Sequence, residues 1–482
     1  MKTNVNMKIN TQMTSKKFTQ SIVALSLICS TSGNAEIYLD READPIPMVE
    51  MNIAFPVGFE ARSMDDVGAA NLMADMIQAG TEKLARQDFQ EKLAEFGATF
   101  NFSVGNQFSE YELSFPFVEG KNYDALIATL TENWWSPRFD EKTFEIAKTK
   151  IISSMQGGLD NDFSLVSTTL RRYLNLHEFG GFPLFIEGIE KLKLSKVKEV
   201  FARDFQNIDN VWAGVLAPDA SLDLVKKILQ SILKKQGKIV EGPYLKELPT
   251  LSKKKKSPSA KKVVLLIDKS QRAQTVTGVM AVSKRELESE EELAFIFGNH
   301  VLFDSGMASV FADEIRTKKG LAYSVGSSTK QLYEKPVLSV SMNPVRERQE
   351  EALSTMAKLL TDSFENNKVI SGLSEEVYAQ QLRSFKNSKI LSQSTPQSRL
   401  AEKASVVMGG ISKEFFLSNP NEWNPKAPQV YKVLNSLWAN SAIVVALVGE
   451  AAELKPLLEK YYPAYKIKVI PYKDSLSQKA YE

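Results

Sequence analysis

Residues 68–81 read GAANLMADMIQAGT, and their apolar side chains recur with the period of an α-helix. Five of them fall three or four positions apart and therefore share one face: Ala69, Leu72, Met73, Met76 and Ile77. This spacing predicts a helix over residues 66–79. Asn71 and Asp75 are four positions apart and share a second, polar face of the same helix.

The same patterns divide the chain into two halves around a break in periodicity. Residues 36–238 form the predicted first half and 263–482 the second. Between them, residues 239–262 carry Gly242-Pro243, Pro249, Ser257-Pro258 and a run of four lysines. This composition predicts a solvated linker. Strands are expected over 51–55, 111–117, 263–267 and 275–282, with helices over 86–96, 122–134, 140–155, 190–203, 289–302, 307–318, 346–364, 374–389 and 395–408.

Short internal matches suggest that the second half repeats the first. Residues 102–105, FSVG, are echoed by YSVG at 323–326, and LSF at 113–115 is echoed by LSV at 338–340. Each half then contains strands, a helix, a hairpin and further helices. We therefore predict an α+β fold of two homologous halves, each an antiparallel sheet with helices packed on one face.

Composition excludes several classes of protein. The chain has 482 residues, of which 43% are hydrophobic, with 60 Lys+Arg against 58 Asp+Glu, so it is neither disordered nor strongly charged. Two histidines and one cysteine are too few for a zinc finger or a disulfide scaffold. Without an apolar run of about 18 residues, no membrane span is expected.

The first 35 residues resemble a cleaved leader. Lys16 and Lys17 precede the apolar run at 22–29, and small residues follow up to Ala35. Removal of residues 1–35 leaves 56 basic and 58 acidic residues and no cysteine. We therefore expect a periplasmic or secreted protein, cleaved near Ala35, with no bulk attraction to nucleic acid.

Common catalytic signatures are absent from the sequence. It has no G-x-S-x-G elbow, P-loop, G-x-G-x-x-G after a strand or H-E-x-x-H. Only His177 and His300 could serve a Ser-His-Asp triad, and we expect both to be polar surface or packing residues.

Residues 68–81 resemble the zinc helix of the pitrilysin/insulinase peptidase family, which includes the mitochondrial processing peptidases and carries H-x-x-E-H there. The resemblance implies that Asn71 and Asp75 occupy the two histidine positions and Ala74 that of the catalytic glutamate. On a second helix, Glu145 fits a family glutamate, and Ile152 stands seven positions on, where the third ligand belongs.

These replacements remove the metal chemistry. An amide and one carboxylate suit zinc poorly, Ile152 has no lone pair, and Ala74 cannot activate water. No metal or cofactor is therefore expected in this chain, and zinc is expected in a partner. A weak cation bound by oxygens at Asp75 is the alternative, but two oxygens fall short of the six or more that such ions take.

Two other segments fit the family's pattern. Gly97, Asn101 and Tyr111 match a G-x-x-x-N strand that pairs with substrate, which makes Asn101 a candidate substrate-binding residue. Residues 316–323, RTKKGLAY, resemble the R-x-x-x-G-L-A-Y segment of the family's C-terminal half. The resemblance implies that Arg316 and Tyr323 hold the substrate backbone and stabilise the oxyanion at the zinc site of a facing subunit.

The resemblance leads to three hypotheses. The first is the non-catalytic subunit of a secreted heterodimeric zinc metallopeptidase, whose halves form a clam around a chamber and whose zinc-bearing partner belongs to the same family and degrades peptides. The second is a scaffold or binding protein of the same fold without proteolysis. The third is an autonomous metallopeptidase.

Overall fold

The computed structural model describes residues 36–58, 63–179, 181–206, 210–233, 239–248, 261–332, 335–364, 368–439 and 441–482. The predicted leader at 1–35 and the lysine run at 253–256 lie outside the described residues.

Pairs of strands and groups of helices follow one another along the described chain. The strands are β1 Glu36–Ala43, β2 Met48–Phe55, β3 Thr99–Val104, β4 Ser109–Pro116, β5 Asn210–Ala217, β6 Ile239–Glu241, β7 Lys262–Asp268, β8 Thr277–Val282, β9 Ala322–Leu332, β10 Lys335–Pro344, β11 Ala442–Gly449 and β12 Lys466–Pro471. The helices are α1 Ala69–Ile77, α2 Arg86–Ala94, α3 Asp124–Trp135, α4 Glu141–Gly157, α5 Asp162–His177, α6 Ile186–Lys191, α7 Leu194–Asp204, α8 Leu222–Ile232, α9 Glu292–Asn299, α10 Val310–Ala312, α11 Gln349–Phe364, α12 Lys368–Ser371, α13 Glu375–Ser392, α14 Pro396–Val407, α15 Lys413–Leu417, α16 Ala427–Trp438 and α17 Ala451–Tyr461.

The two halves have the same sheet topology. The first sheet has the order β3-β4-β2-β5-β1-β6, and the second has the order β9-β10-β8-β11-β7-β12. Each strand of the first sheet thus occupies the same position as the strand numbered six higher in the second sheet. The prediction of two homologous α+β halves is confirmed.

Both sheets are mixed rather than antiparallel, which corrects one detail of the prediction. β1 runs parallel to β5 and β6, and β7 runs parallel to β11 and β12. The other pairs are antiparallel. A parallel pair requires a long crossover, and here most of each half lies between its paired parallel strands.

Each sheet is also covered on both faces, not on one as predicted. In β7, Val264 and Leu266 belong to the core beneath α9, α11 and α16, whereas Val263, Leu265 and Ile267 belong to a core beneath α5. Burial on both faces explains why residues 263–267 are apolar without alternation.

The second covering layer comes from the opposite half. α5 lies between β4 and β5 of the first sheet in sequence but packs on β8 and β11 of the second. α14 lies between β10 and β11 of the second sheet in sequence but packs on β1 and β5 of the first. Both helices have side-chain caps: Asn161 accepts a hydrogen bond from the amide of Ser164 at 3.0 Å, and Thr395 and Ser398 form a capping box.

Ion pairs fix α14 to the first sheet. Lys403 Nζ lies 2.8 Å from Glu42 Oε1, and Arg399 Nη2 lies 3.0 Å from Glu42 Oε2. Next to them, the indole N–H of Trp212 donates to Asp40 Oδ2 at 2.6 Å, and Lys403 Nζ lies 3.9 Å from Asp40 Oδ1. Asp40 is fully buried, and burial raises its pKa although the Trp212 hydrogen bond opposes the rise.

The first part of the predicted linker is packed structure. Residues 239–241 form β6, Tyr244 stacks on Tyr38 with ring centroids 3.9 Å apart, and Leu248 is fully buried. Residues 239–248 therefore pack on the first half rather than lying in solvent. Residues 249–260 lie outside the described chain.

One of the two internal matches is not a structural equivalence. Phe102 lies near the β3–β4 hairpin and pairs with Tyr111, whereas Tyr323 lies at the end of β9 that is remote from the β9–β10 hairpin. Leu113 and Leu338 do correspond, since each lies in the strand after its hairpin and faces the main core of its half. In the described part of the chain, no helix is both long and apolar enough to cross a membrane.

Candidate functional site

α1 presents the face on which the sequence resemblance places the family's metal ligands. Gly68 begins the helix with φ 83°, a conformation that glycine adopts without strain. The apolar face predicted from the sequence is buried in the first core, and Asn71, Ala74 and Asp75 lie on the half-buried face. This is the face that would have to hold a metal.

α4 packs against α1 and covers that face with side chains that cannot bind a metal. Ile152 packs against the first core, and Glu145 is exposed and pairs with no residue of α1 among the contacts described. Lys150, also on α4, places its ammonium group on the carboxylate of Asp75. Asp75 is only 17% exposed, so the lysine charge neutralises a largely buried carboxylate.

The residues present do not fit zinc. Asp75 already has a cation, Ile152 offers no donor, and a second positive charge beside Lys150 would be repelled. Among the described residues, no three His, Cys, Asp or Glu side chains gather in a way that could hold a metal ion.

Of the residues predicted to contact substrate, Asn101 is accessible and Tyr111 is buried. β3 is the edge strand of the first sheet, and on it the exposed Asn101 donates to Glu112 Oε2 at 2.8 Å. Tyr111, on β4, is fully buried among Phe100, Phe102 and Trp134, and burial raises the pKa of its phenol. Asn101 can therefore meet a ligand, and Tyr111 belongs to the core.

The structure brings Arg316 and Tyr323 together. The guanidinium carbon of Arg316 lies 4.5 Å from the centre of the Tyr323 ring, in cation–π geometry. Tyr323 is 80% exposed. Arg316 also approaches the sulfur of Met307 at 3.2 Å, but no carboxylate in the described chain forms an ion pair with it.

The turn between them explains the close approach. Residues Asp313–Lys318 continue α10 with the wider turns of a π-helix, which are frequent at functional sites. Gly320 then takes φ 58° and reverses the chain into β9. Arg348 supports this turn by donating to the carbonyl of Lys319 at 2.8 Å. The pair is thus held on a supported turn.

Neither histidine belongs to these sites. His177 Nε2 lies 2.9 Å from the carbonyl oxygen of Tyr481, and its ring packs on Tyr173. His300 packs on Phe385, and burial lowers its pKa. Both have the packing role expected from the sequence.

A groove that the sequence analysis missed lies between α5 and the second sheet. Arg171 of α5 and Lys330 of β9 line it, 159 positions apart in sequence. No helix was expected over the residues of α5, and its packing on the opposite half leaves no trace in the local sequence. No local pattern brings these two cations together.

Comparisons with known proteins agree with this architecture. Residues 206–376 match the family described as Peptidase M16 inactive domain, a range that includes Arg316 and Tyr323 but not Asn71 or Asp75. A relative from Helicobacter pylori (strain ATCC 700392 / 26695), "Non-peptidase homolog YmxG", is 28% identical over 292 residues. That alignment covers 58% of this chain and 62% of the relative's length.

Solved structures share the fold. The peptidase M16 inactive domain from Pseudomonas fluorescens superposes with a TM-score of 0.70 at 16% identity, covering 86% of this chain and 96% of that one. The periplasmic protease PqqL from Escherichia coli superposes with a TM-score of 0.59 at 10% identity, covering 84% of this chain and 43% of that one. These matches confirm the resemblance to the pitrilysin-like peptidases, which in sequence is carried by the match of residues 206–376 to the Peptidase M16 inactive domain family.

Proposed function

We propose that this chain is the non-catalytic subunit of a secreted or periplasmic zinc metallopeptidase with two different subunits. The partner, a family member with an intact H-x-x-E-H helix, would supply zinc, the attacking water and the general base. This chain would supply Arg316, Tyr323 and half the wall of the chamber that encloses a peptide.

The proposal rests on a contrast between the degenerate metal face in the first half and the Arg316–Tyr323 pair in the second. The face of α1 is closed by the pair of Asp75 and Lys150, whereas Arg316 is half-buried in contact with Tyr323, whose side chain is 80% exposed. Arg316 has no carboxylate partner among the residues described, and an arginine of this kind beside an exposed phenol is suited to meet an external group. They have no metal-bound substrate to act on within this chain.

The chemistry of the pair suits a peptide carbonyl. The guanidinium group offers planar N–H donors, and the phenol offers one O–H donor. Both can donate to an oxygen that gains negative charge as water adds to the carbonyl carbon. The cation–π contact limits the motion of both side chains, which lowers the entropy lost when the substrate binds. Asn101 would contact the substrate backbone from the edge strand β3.

Secretion is supported by the order of charge, apolar run and small residues in the first 35 positions. The neighbour PqqL is described as periplasmic. We propose the same type of compartment for this chain.

A scaffold without proteolysis is the second candidate, because the relative YmxG is described as a non-peptidase homologue. Reconstitution separates the two candidates. The chain would be mixed with a family member that carries an intact H-x-x-E-H helix, and the complex would be isolated by gel filtration and assayed with peptides. We expect cleavage by the mixture and none by this chain alone. A complex that forms but cleaves no faster than the zinc-bearing subunit alone would support the scaffold. Chelator-sensitive cleavage by this chain alone would refute both and restore the autonomous peptidase.

A further inference from the structure

The groove beside α5 is large enough to hold a ligand. It has a volume of about 720 Å³, within the range typical of ligand sites. α5 forms one wall, and β8, β10 and β9 form the floor. It lies within this single chain, so its properties do not depend on the proposed partner.

Two cations face this groove without a counter-charge. In the described part of the chain, neither Arg171 nor Lys330 forms a hydrogen bond or an ion pair with a carboxylate. Both side chains reach solvent in the groove, yet the surrounding walls exclude part of it. Burial lowers the pKa of Lys330, and the charge of Arg171 lowers it further. Burial likewise lowers the pKa of Arg171, helped by the charge of Arg172.

The carboxylate of Asp304 binds side chains on the other face of β9. It accepts hydrogen bonds from Ser327 at 2.9 Å and Thr329 at 3.4 Å. Successive residues of a strand face opposite sides, and Lys330 pairs with Val337, which lies in the core on the α5 side. Lys330 therefore faces the groove while Asp304 binds residues of the opposite face.

The rest of the lining combines hydroxyl groups with apolar surface. Ser328 and Ser339 are direct cross-strand partners on the groove floor. Further polar lining residues are Ser164, Ser167 and Ser341, and Phe163, whose side chain is 44% exposed, supplies apolar surface. A bare inorganic anion would use the cations and hydroxyls but leave the apolar surface unused. A peptide with carboxylate groups uses all three.

The equivalent groove in the other half has the opposite charge. Between α14 and the first sheet lies a cavity of about 450 Å³, lined by Glu50 and Glu112 and by no lysine or arginine. The two sheets have the same topology, so the fold itself does not require cations at this position. The charge is specific to the α5 groove.

We propose that the groove between α5 and β9 binds a peptide segment rich in carboxylates, with Arg171 and Lys330 pairing with its acidic groups. The hydroxyls of Ser328 and Ser339 would donate to the same carboxylates, and the exposed ring of Phe163 would contact the aliphatic parts of the peptide. Binding supplies the missing counter-charge and so favours the charged form of both residues.

The test measures binding by the chain alone, with the leader removed. The probe is a dye-labelled eight-residue peptide with glutamate at alternate positions, and its control has glutamine at those positions. Fluorescence anisotropy should show binding of the glutamate peptide, weaker at high salt, and binding of the glutamine peptide at least about tenfold weaker. Arg171→Gln and Lys330→Gln should each weaken binding about tenfold, a loss of about 1.4 kcal/mol.

Matched variants and competitors make the outcome decisive. Lys92→Gln removes an exposed lysine outside the groove and should leave affinity unchanged. The double variant with Arg171→Glu and Lys330→Glu should instead prefer a peptide with lysine at the alternate positions. Equal binding of the glutamate and glutamine peptides, or unchanged affinity in the groove variants, would overturn the proposal. Displacement of the peptide by an equal concentration of inorganic phosphate would overturn the assignment to a peptide.

Discussion

The ammonium group of Lys150 pairs with the carboxylate of Asp75 across the contact between α4 and α1. The sequence resemblance implies that Asp75 stands at the position of a zinc-binding histidine. A side-chain cation thus occupies the neighbourhood that a metal ion would need. The replacement is structural as well as chemical, because the pair neutralises a carboxylate that is only 17% exposed.

Zinc binding is the first test of this arrangement. We expect the chain alone to retain no stoichiometric zinc after dialysis, as measured by elemental analysis. Lys150→Ala should not create a site, because Ile152 still offers no donor. One tightly held zinc per wild-type chain would contradict the account. As a positive control, Asn71→His, Asp75→His and Ile152→Glu combined with Lys150→Ala should increase zinc retention.

Stability should depend far more on Lys403 than on exposed lysines. Lys403→Met leaves Asp40 and Glu42 with one fewer counter-charge in a mostly buried site. We expect the free energy of unfolding in urea to fall by about 2–4 kcal/mol. Lys92→Met, which removes an exposed pair with Glu95, should leave it almost unchanged because solvent screens that pair. Equal effects would show that the ion pairs of α14 do not hold the halves together.

Acid should weaken the same contact. Burial raises the pKa of Glu42, but hydrogen bonds from Lys403 and Arg399 lower it overall below its ordinary value of 4.5. Ionised Glu42 therefore adds stability that is complete above that value and is lost as the pH falls through the lower folded-state pKa. Urea denaturation between about pH 6 and pH 3 should show a steeper acid loss for the wild type than for Glu42→Gln. Parallel curves would exclude Glu42 as a source of the pH dependence.

Processing of the leader can be checked directly. Mass spectrometry of the protein from its native source should find an N-terminus at or near Glu36, in the fraction outside the cytoplasm. An intact Met1 in the cytoplasmic fraction would contradict the predicted localisation.

Local periodicity predicted those parts of the fold that depend on local sequence. The pattern at 66–79 predicted a helix, and α1 spans Ala69–Ile77. The pattern at 395–408 likewise predicted α14, but not that it lies on the opposite half. Parallel pairing of β1 with β5 was also missed, because it joins residues about 170 positions apart and leaves no local pattern.

The candidate site shows the same difference between what local patterns predict and what depends on distant residues. The segment at 316–323 suggested that Arg316 and Tyr323 act together, and the turn at Gly320 brings them into contact. The pair of Asp75 and Lys150 joins two helices and could not be derived from the spacing of either. The same limit hid the groove of Arg171 and Lys330, whose walls come from different halves.

The turnover of the reconstituted complex with Arg316 and Tyr323 replaced tests the central claim most directly. Arg316→Ala and Tyr323→Phe should each lower kcat about a hundred- to a thousandfold, or roughly 3–4 kcal/mol, while gel filtration shows an intact complex. Arg316→Lys should be nearly as harmful, because an ammonium group cannot reproduce the planar donors of the guanidinium. If the complex forms and cleaves at the wild-type rate with both residues replaced, these side chains do not take part in catalysis and the chain is a scaffold.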